Sequence, residues 1–117
     1  MSTNDRRRSP RTASSFPLRY RTIPVGAAGY SGGRVEDLSP EGVRFSCPGA
    51  VRPRSGLLFE MLIPGGPPVR SFARAAWVRE SADRTGYEVG GSFVDQSTAA
   101  RKAIERHLER APASVDP

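Results

Sequence analysis

From Phe16 to Val94 turn-forming residues cut the chain about every 8 to 12 positions, and the runs between the cuts alternate apolar and polar side chains. An extended strand sends successive side chains to opposite faces, so this alternation suits a half-buried strand and defeats a helix. In SGLLFEMLI, Leu57, Phe59, Met61 and Ile63 share a face, and GGPP ends the run. FPLRYRT separates Leu18 and Tyr20 from Arg19 and Arg21. RVEDLS and GVRFSC flank the corner SPEG, and the second of them aims Val43, Phe45 and Cys47 one way. VRSFARAAWVRE carries Val69, Ala73, Ala75 and Trp77 on one parity; after the polar turn SADR, TGYEVGGSFV carries Tyr87, Val89, Gly91 and Phe93 on another. The spacing thus predicts six short strands. Eleven prolines and twelve glycines argue against a helical bundle, and short strands in this number imply a sandwich or a small barrel, whose closure protects the edges.

After Phe93 the period changes. TAARKAIERHLERA holds no proline or glycine, Ala100, Ile104, Leu108 and Ala111 recur at helical spacing, and Ser97 stands where a cap belongs. The expected organisation is a flexible basic segment over 1–15, a barrel with a carboxyl-terminal helix over 16–111, and a frayed tail over 112–117. IPVGAAGYSGG reads as a loop, with Tyr30 in it as the one aromatic expected at the surface; Tyr20, Tyr87 and Trp77 fall on the inferred core parity.

The charge is lopsided. Within residues 1–21, six arginines face one aspartate, which places a net +5 of the chain's formal +6 at one end. Such a field attracts an anionic partner such as a nucleotide, a nucleic acid or an acidic lipid. Cys47 is the only cysteine, so no internal disulfide or cysteine-built zinc site forms, and a reducing cytoplasm is the expected compartment. GLLFEMLI, interrupted by Glu60, is too short to span a membrane, and the amino terminus lacks the apolar core of a secretory signal.

Residues for catalysis are scarce. His107, the single histidine, is expected on the helix surface, with no nucleophile on a strained elbow to serve. The single lysine, Lys102, lies inside the helix and not in a phosphate loop, and GAAGYSGG does not follow the dinucleotide fingerprint. Glu36 and Asp37 are neighbours on a strand, which points them to opposite faces and spoils them as an acid and base pair. No catalytic residue or metal ligand is assigned, and the expected activity is binding, not catalysis. Nucleic acid is disfavoured as the ligand, because the aromatics that would stack on bases lie on core parity.

Two stretches remain. RRRSPR puts four arginines into residues 6–11. EDLSPEGVRF sets Asp37, Ser39 and Gly42 at a strand end and its turn, with Asp37 and Ser39 sharing parity and therefore one surface. An ionised aspartate accepts paired N–H groups, a serine hydroxyl can donate to a phosphate oxygen, and a glycine lets a ligand approach the backbone. The plainer account of the second stretch is a turn held by its own Asp and Ser hydrogen bonds.

Together, RRRSPR and DLSPEG resemble the PilZ domain family, whose signature is RxxxR followed by (D/N)xSxxG. Arg7 and Arg11 match the first motif, with Arg6 in its common double-arginine form, and Asp37, Ser39 and Gly42 match the second. FPLRYR, GVRF, ARAAWVRE and GYEVGGSFV resemble the family's strands in order, so the likeness runs from about Arg6 to Leu108. Ser92 stands where many relatives carry arginine, which removes an auxiliary contact. The resemblance implies a six-stranded antiparallel β-barrel with a carboxyl-terminal helix, and a receptor for the bacterial second messenger cyclic di-GMP, with no further cofactor. It implies that Arg7 and Arg11 grip phosphates and guanine Hoogsteen edges, that Asp37 and Ser39 meet guanine and phosphate, and that Gly42 leaves room. Arg6 and Arg8 are auxiliary candidates for a stacked ligand pair. Ligand would order the arginine segment over the barrel and pass a signal to an unidentified protein, with a homodimer as a further option at the helix. The rival classes are a PilZ-like protein-interaction adaptor that binds no ligand and a small nucleic-acid-binding barrel.

Overall fold

The computed structural model describes residues 12–23, 30–94 and 96–110. Six strands and one helix follow in chain order: β1 (Thr12–Ile23), β2 (Ser31–Leu38), β3 (Gly42–Cys47), β4 (Gly56–Met61), β5 (Val69–Glu80), β6 (Tyr87–Phe93) and α1 (Thr98–Arg110). All neighbours are antiparallel, and the order β1-β2-β3-β6-β5-β4 closes on itself. The two longest strands make closure possible. β1 pairs with β2 along Thr12–Tyr20 and with β4 along Leu18–Ile23. β5 pairs with β4 over Val69–Arg74 and with β6 from Ala73 to Glu80. β1 begins four residues before Phe16, where the alternation becomes readable in the sequence.

The alternating faces meet inside. Leu18, Val35, Phe45, Leu57, Phe59, Met61 and Val89 are buried, and each large side chain removed from water contributes about 1.5–3 kcal/mol. Phe45 links Tyr20 and Phe59, with ring centroids 5.3 Å from each and the Phe59 ring edge-on at 84°. Cys47 is buried as expected, and its thiol meets the Tyr20 hydroxyl inside the barrel.

Two bulges depart from strict alternation. Between β5 and β6, Ala75 pairs with Gly91 and Trp77 with Gly90, so Ala76 is an extra residue and the parity reverses. Trp77, expected inside, is therefore 38% exposed, while Val78 packs against the core. The cause lies in the loop before β4: Arg54 donates its N–H to the Ala75 carbonyl, and the Ala75 N–H donates to the Ser55 carbonyl. Those bonds continue the β4–β5 pairing past Gly56, where β4 begins, and the bulge follows at once at Ala76. The second bulge sits between Val35 and Asp37, where Glu36 has no partner on β3 and Ser14 and Ser15 of β1 lie opposite it.

α1 closes over the barrel through Ala100 and Ile104, both buried. The Ser97 hydroxyl accepts from the Ala100 N–H at 3.1 Å, the capping bond that the sequence predicts. His107, one turn beyond Ile104, is not the surface residue expected: it is partly buried, with its ring edge-on to Phe16 at 5.5 Å. Among the described residues, no helix is long and apolar enough to cross a membrane.

Candidate functional site

The segment between β2 and β3 carries Asp37, Ser39 and Gly42. Leu38 pairs with Val43 and closes a four-residue turn, in which the Ser39 N–H donates to the Gly42 carbonyl at 2.9 Å and the Gly42 N–H returns to the Ser39 carbonyl at 3.3 Å. The Ser39 hydroxyl accepts from the N–H groups of Gly42 and Glu41 at 3.2 and 3.3 Å. Ser39 is consequently 3% exposed and serves the turn. The shared parity of Asp37 and Ser39 ends with the strand at Leu38, so the two side chains do not lie on one open surface. The Glu41 carbonyl accepts from the Phe93 N–H at 2.8 Å, which ties the turn to β6.

Gly42 has a packing role. A Cβ at this position would lie 2.3 Å from the Gly91 carbonyl oxygen on β6, far inside contact distance. Glycine is required there for β3 and β6 to pair, whatever binds outside.

Asp37 faces outward beside Arg44, its cross-strand partner, whose Nε donates to Oδ2 at 2.9 Å. Arg44 continues to Glu88 at 3.5 Å, and Glu88 accepts from Arg79 at 2.8 and 3.1 Å. A row of alternating charge thus crosses β2, β3, β6 and β5. Burial alone would lower the Arg44 pKa, but the hydrogen bond and charge of Asp37, with Glu88 and Glu36, hold it above the usual arginine value. Because of the Val35–Asp37 bulge, Glu36 shares this outer face and binds the Ser46 hydroxyl at 3.0 Å. The expectation of opposite faces for Glu36 and Asp37 is therefore overturned. They engage different partners, Asp37 the Arg44 guanidinium and Glu36 the Ser46 hydroxyl.

Trp77 stands next to the turn. Its indole lies over Gly90, where an added Cβ would come within 2.2 Å of Nε1, and the Arg79 guanidinium sits 5.1 Å from its ring. Trp77, Gly90, Ser92, Glu41 and Gly42 border a hollow of about 130 Å³. Sequence reasoning missed both Trp77 and Arg44. The signals for them were the Gly90–Gly91 pair, which leaves space above a strand, and the Asp37 to Arg44 spacing across a four-residue turn. Tyr30 is exposed as expected, with Arg19 and Arg21 each about 5.5 Å from its ring.

Arg6, Arg7, Arg8 and Arg11 lie outside the described residues. The residue after Arg11 does not: Thr12 pairs with Leu38, and Ala13 pairs with Asp37. The backbone therefore carries the first motif's exit to the strand that ends in the second. Among the described residues no three potential metal ligands cluster.

Comparison with known proteins agrees with this architecture. No curated protein matches the sequence directly. Among solved structures, the fold superposes on the inhibitor of motility MotI/DgrA of Bacillus subtilis with a TM-score of 0.73 at 10% identity, covering 90% of this chain and 51% of that one. The PilZ domain of YcgR from Escherichia coli, solved with c-di-GMP, gives 0.69 at 14% identity, covering 86% and 87%. The MrkH–c-di-GMP complex of K. pneumonia gives 0.64 at 16%, covering 89% and 51%, so this chain spans about half of MotI and of MrkH. The family model of the PilZ domain matches residues 5–110, from before the arginine cluster to the last turn of α1, and the chain belongs to the PilZ domain family.

Proposed function

We propose that this chain is a cytoplasmic cyclic di-GMP receptor in which Arg7 and Arg11 clamp the ligand against the Asp37–Gly42 turn. The observation that supports this reading is the pairing of Thr12, the residue that follows the RxxxR segment, with Leu38, which lies between Asp37 and Ser39. A ligand with two phosphates and two guanines suits arginine, whose planar fork pairs bidentately with phosphate oxygens or with guanine O6 and N7. The exposed Trp77 face beside Gly42 and Ser92 adds a flat surface on which a base can stack. PilZ structures from Escherichia coli with c-di-GMP bound support the same ligand. Binding would draw residues 1–11 across the barrel, and that ordering would signal to a partner protein.

Calorimetry of the full chain with cyclic di-GMP tests the proposal. Arg7→Ala, Arg11→Ala or Asp37→Ala should each weaken binding roughly tenfold to more than a hundredfold, as expected for loss of one bidentate contact worth about 1–3 kcal/mol. Two ligands per chain would support auxiliary roles for Arg6 and Arg8; one would reject them. One observation favours the rival adaptor reading: Asp37 is ion-paired with Arg44, and Ser39 is committed to its own turn. Absence of heat with cyclic di-GMP would select that reading.

A further inference from the structure

A second hollow lies away from the motif turn, between the β4–β5 connection and α1. It is a half-open groove of about 490 Å³. One wall is the 64–68 turn, where Pro64 and Pro67 fix the backbone and Gly65 supplies a φ of 84°. The other is the flank of α1 bearing Ala99, Ala103 and Arg106, which are spaced at i, i+4 and i+7, with the buried Ala100 also lining the groove. Small side chains leave a trough, and the stiff proline wall reduces the ordering that binding would cost.

The charged side chains that line this groove among the described residues are Arg70 and Arg106. Arg70 lines it with a side chain 83% exposed, and among the described residues its ion pair is a loose 3.8 Å approach to Glu60. Among the described residues Arg106 makes no ion pair, no acidic side chain lines the groove, and the first turn of α1 holds none. The positive end of the helix macrodipole adds to the same field. An apolar trough with a cationic lip complements an apolar segment with anionic flanks. Among the described residues no aromatic ring lines the groove, so they offer bases no stacking platform here. A concave slot also fits one inserted side chain better than it fits a flat bilayer.

We infer that this groove docks an acidic peptide segment of a partner protein, with an aliphatic side chain between the proline turn and α1 and carboxylates on Arg70 and Arg106. The inference is independent of cyclic di-GMP, because the groove shares no residue with the motif turn. The test is selection of random nonapeptides displayed on phage against the immobilised full chain, followed by fluorescence anisotropy of the enriched peptides. Enriched sequences should place Asp or Glu beside Leu, Ile or Val. R70E and R106E should each weaken binding about tenfold, as loss and reversal of an interfacial charge pair does. A99W, at an exposed helix position, should fill the trough and abolish binding while the far-UV circular dichroism stays native. The inference fails if no peptide is enriched, if enriched peptides lack acidic bias, or if the three variants bind as the parent does. It fails equally if a twelve-nucleotide oligouridylate or phosphatidylglycerol vesicles displace the peptides at comparable concentration, since the surface would then select charge alone.

Discussion

Gly42 and the Tyr20–Cys47 pair show how single residues are constrained here. At Gly42 the obstacle to any side chain is the β6 backbone, which cannot rotate away, so Gly42→Ala should cost about 1–3 kcal/mol through forced separation of β3 and β6. Urea denaturation monitored by circular dichroism checks this, and the loss should appear without any ligand. Tyr20 and Cys47 titrate near 10.0 and 9.0 when unperturbed, and burial, the largest influence on each, raises both in the folded chain. The unfolded chain therefore releases these protons first. Their contribution is complete below about pH 9 and is lost as pH rises further, so the denaturation midpoint should fall from pH 9 upward, with a shallower fall in Tyr20→Phe. On the acid side the sign reverses. The Arg19 hydrogen bond holds the Glu60 pKa below its ordinary 4.5, and its contribution, present above that pH, is lost as the carboxylate protonates.

Among the elements, α1 depends most on what it packs against. A helix of 13 residues is marginal alone, and its stability comes from the face that it buries. Ile104→Ala, which leaves a cavity beneath the helix, should cost about 2–5 kcal/mol, whereas Ser97→Ala should cost about 1 kcal/mol by freeing one backbone N–H. Thermal unfolding of the two variants tests that ranking. Equal losses would mean that the cap holds the helix as much as the burial of Ile104 does. The charged row across β2, β3, β6 and β5 contributes less. Exposed pairs such as Arg79–Glu88 are worth about 0.2–1 kcal/mol each, so the charged row orients Asp37 more than it stabilises the barrel.

At the scale of the whole molecule, closure gives every strand two neighbours, and the strands share one core. Unfolding should accordingly be a single cooperative transition. Trp77, the only tryptophan, reports on the outer face beside the motif turn, while far-UV circular dichroism reports on the strands together. The two signals should give coincident urea curves. An earlier fluorescence transition would show that the β5 bulge opens before the barrel does.

The division between sequence and tertiary structure follows the range of the forces involved. Side-chain alternation is a property of each segment alone, so the six strands, the Ser97 cap and the buried Cys47 were legible residue by residue, as was the order of the RxxxR and DxSxxG motifs. Both bulges were not. The reversal at Trp77 follows the hydrogen bonds that join Ala75 to the backbone of Arg54 and Ser55, some twenty residues earlier, and the shared face of Glu36 and Asp37 depends on how β1 and β3 match β2. Gly42 was readable as a motif glycine, but its packing role required the carbonyl of Gly91. Alternation determined which side chains could face the core; the register between strands distant in the chain decided where that alternation breaks, and so which residues surround the motif turn.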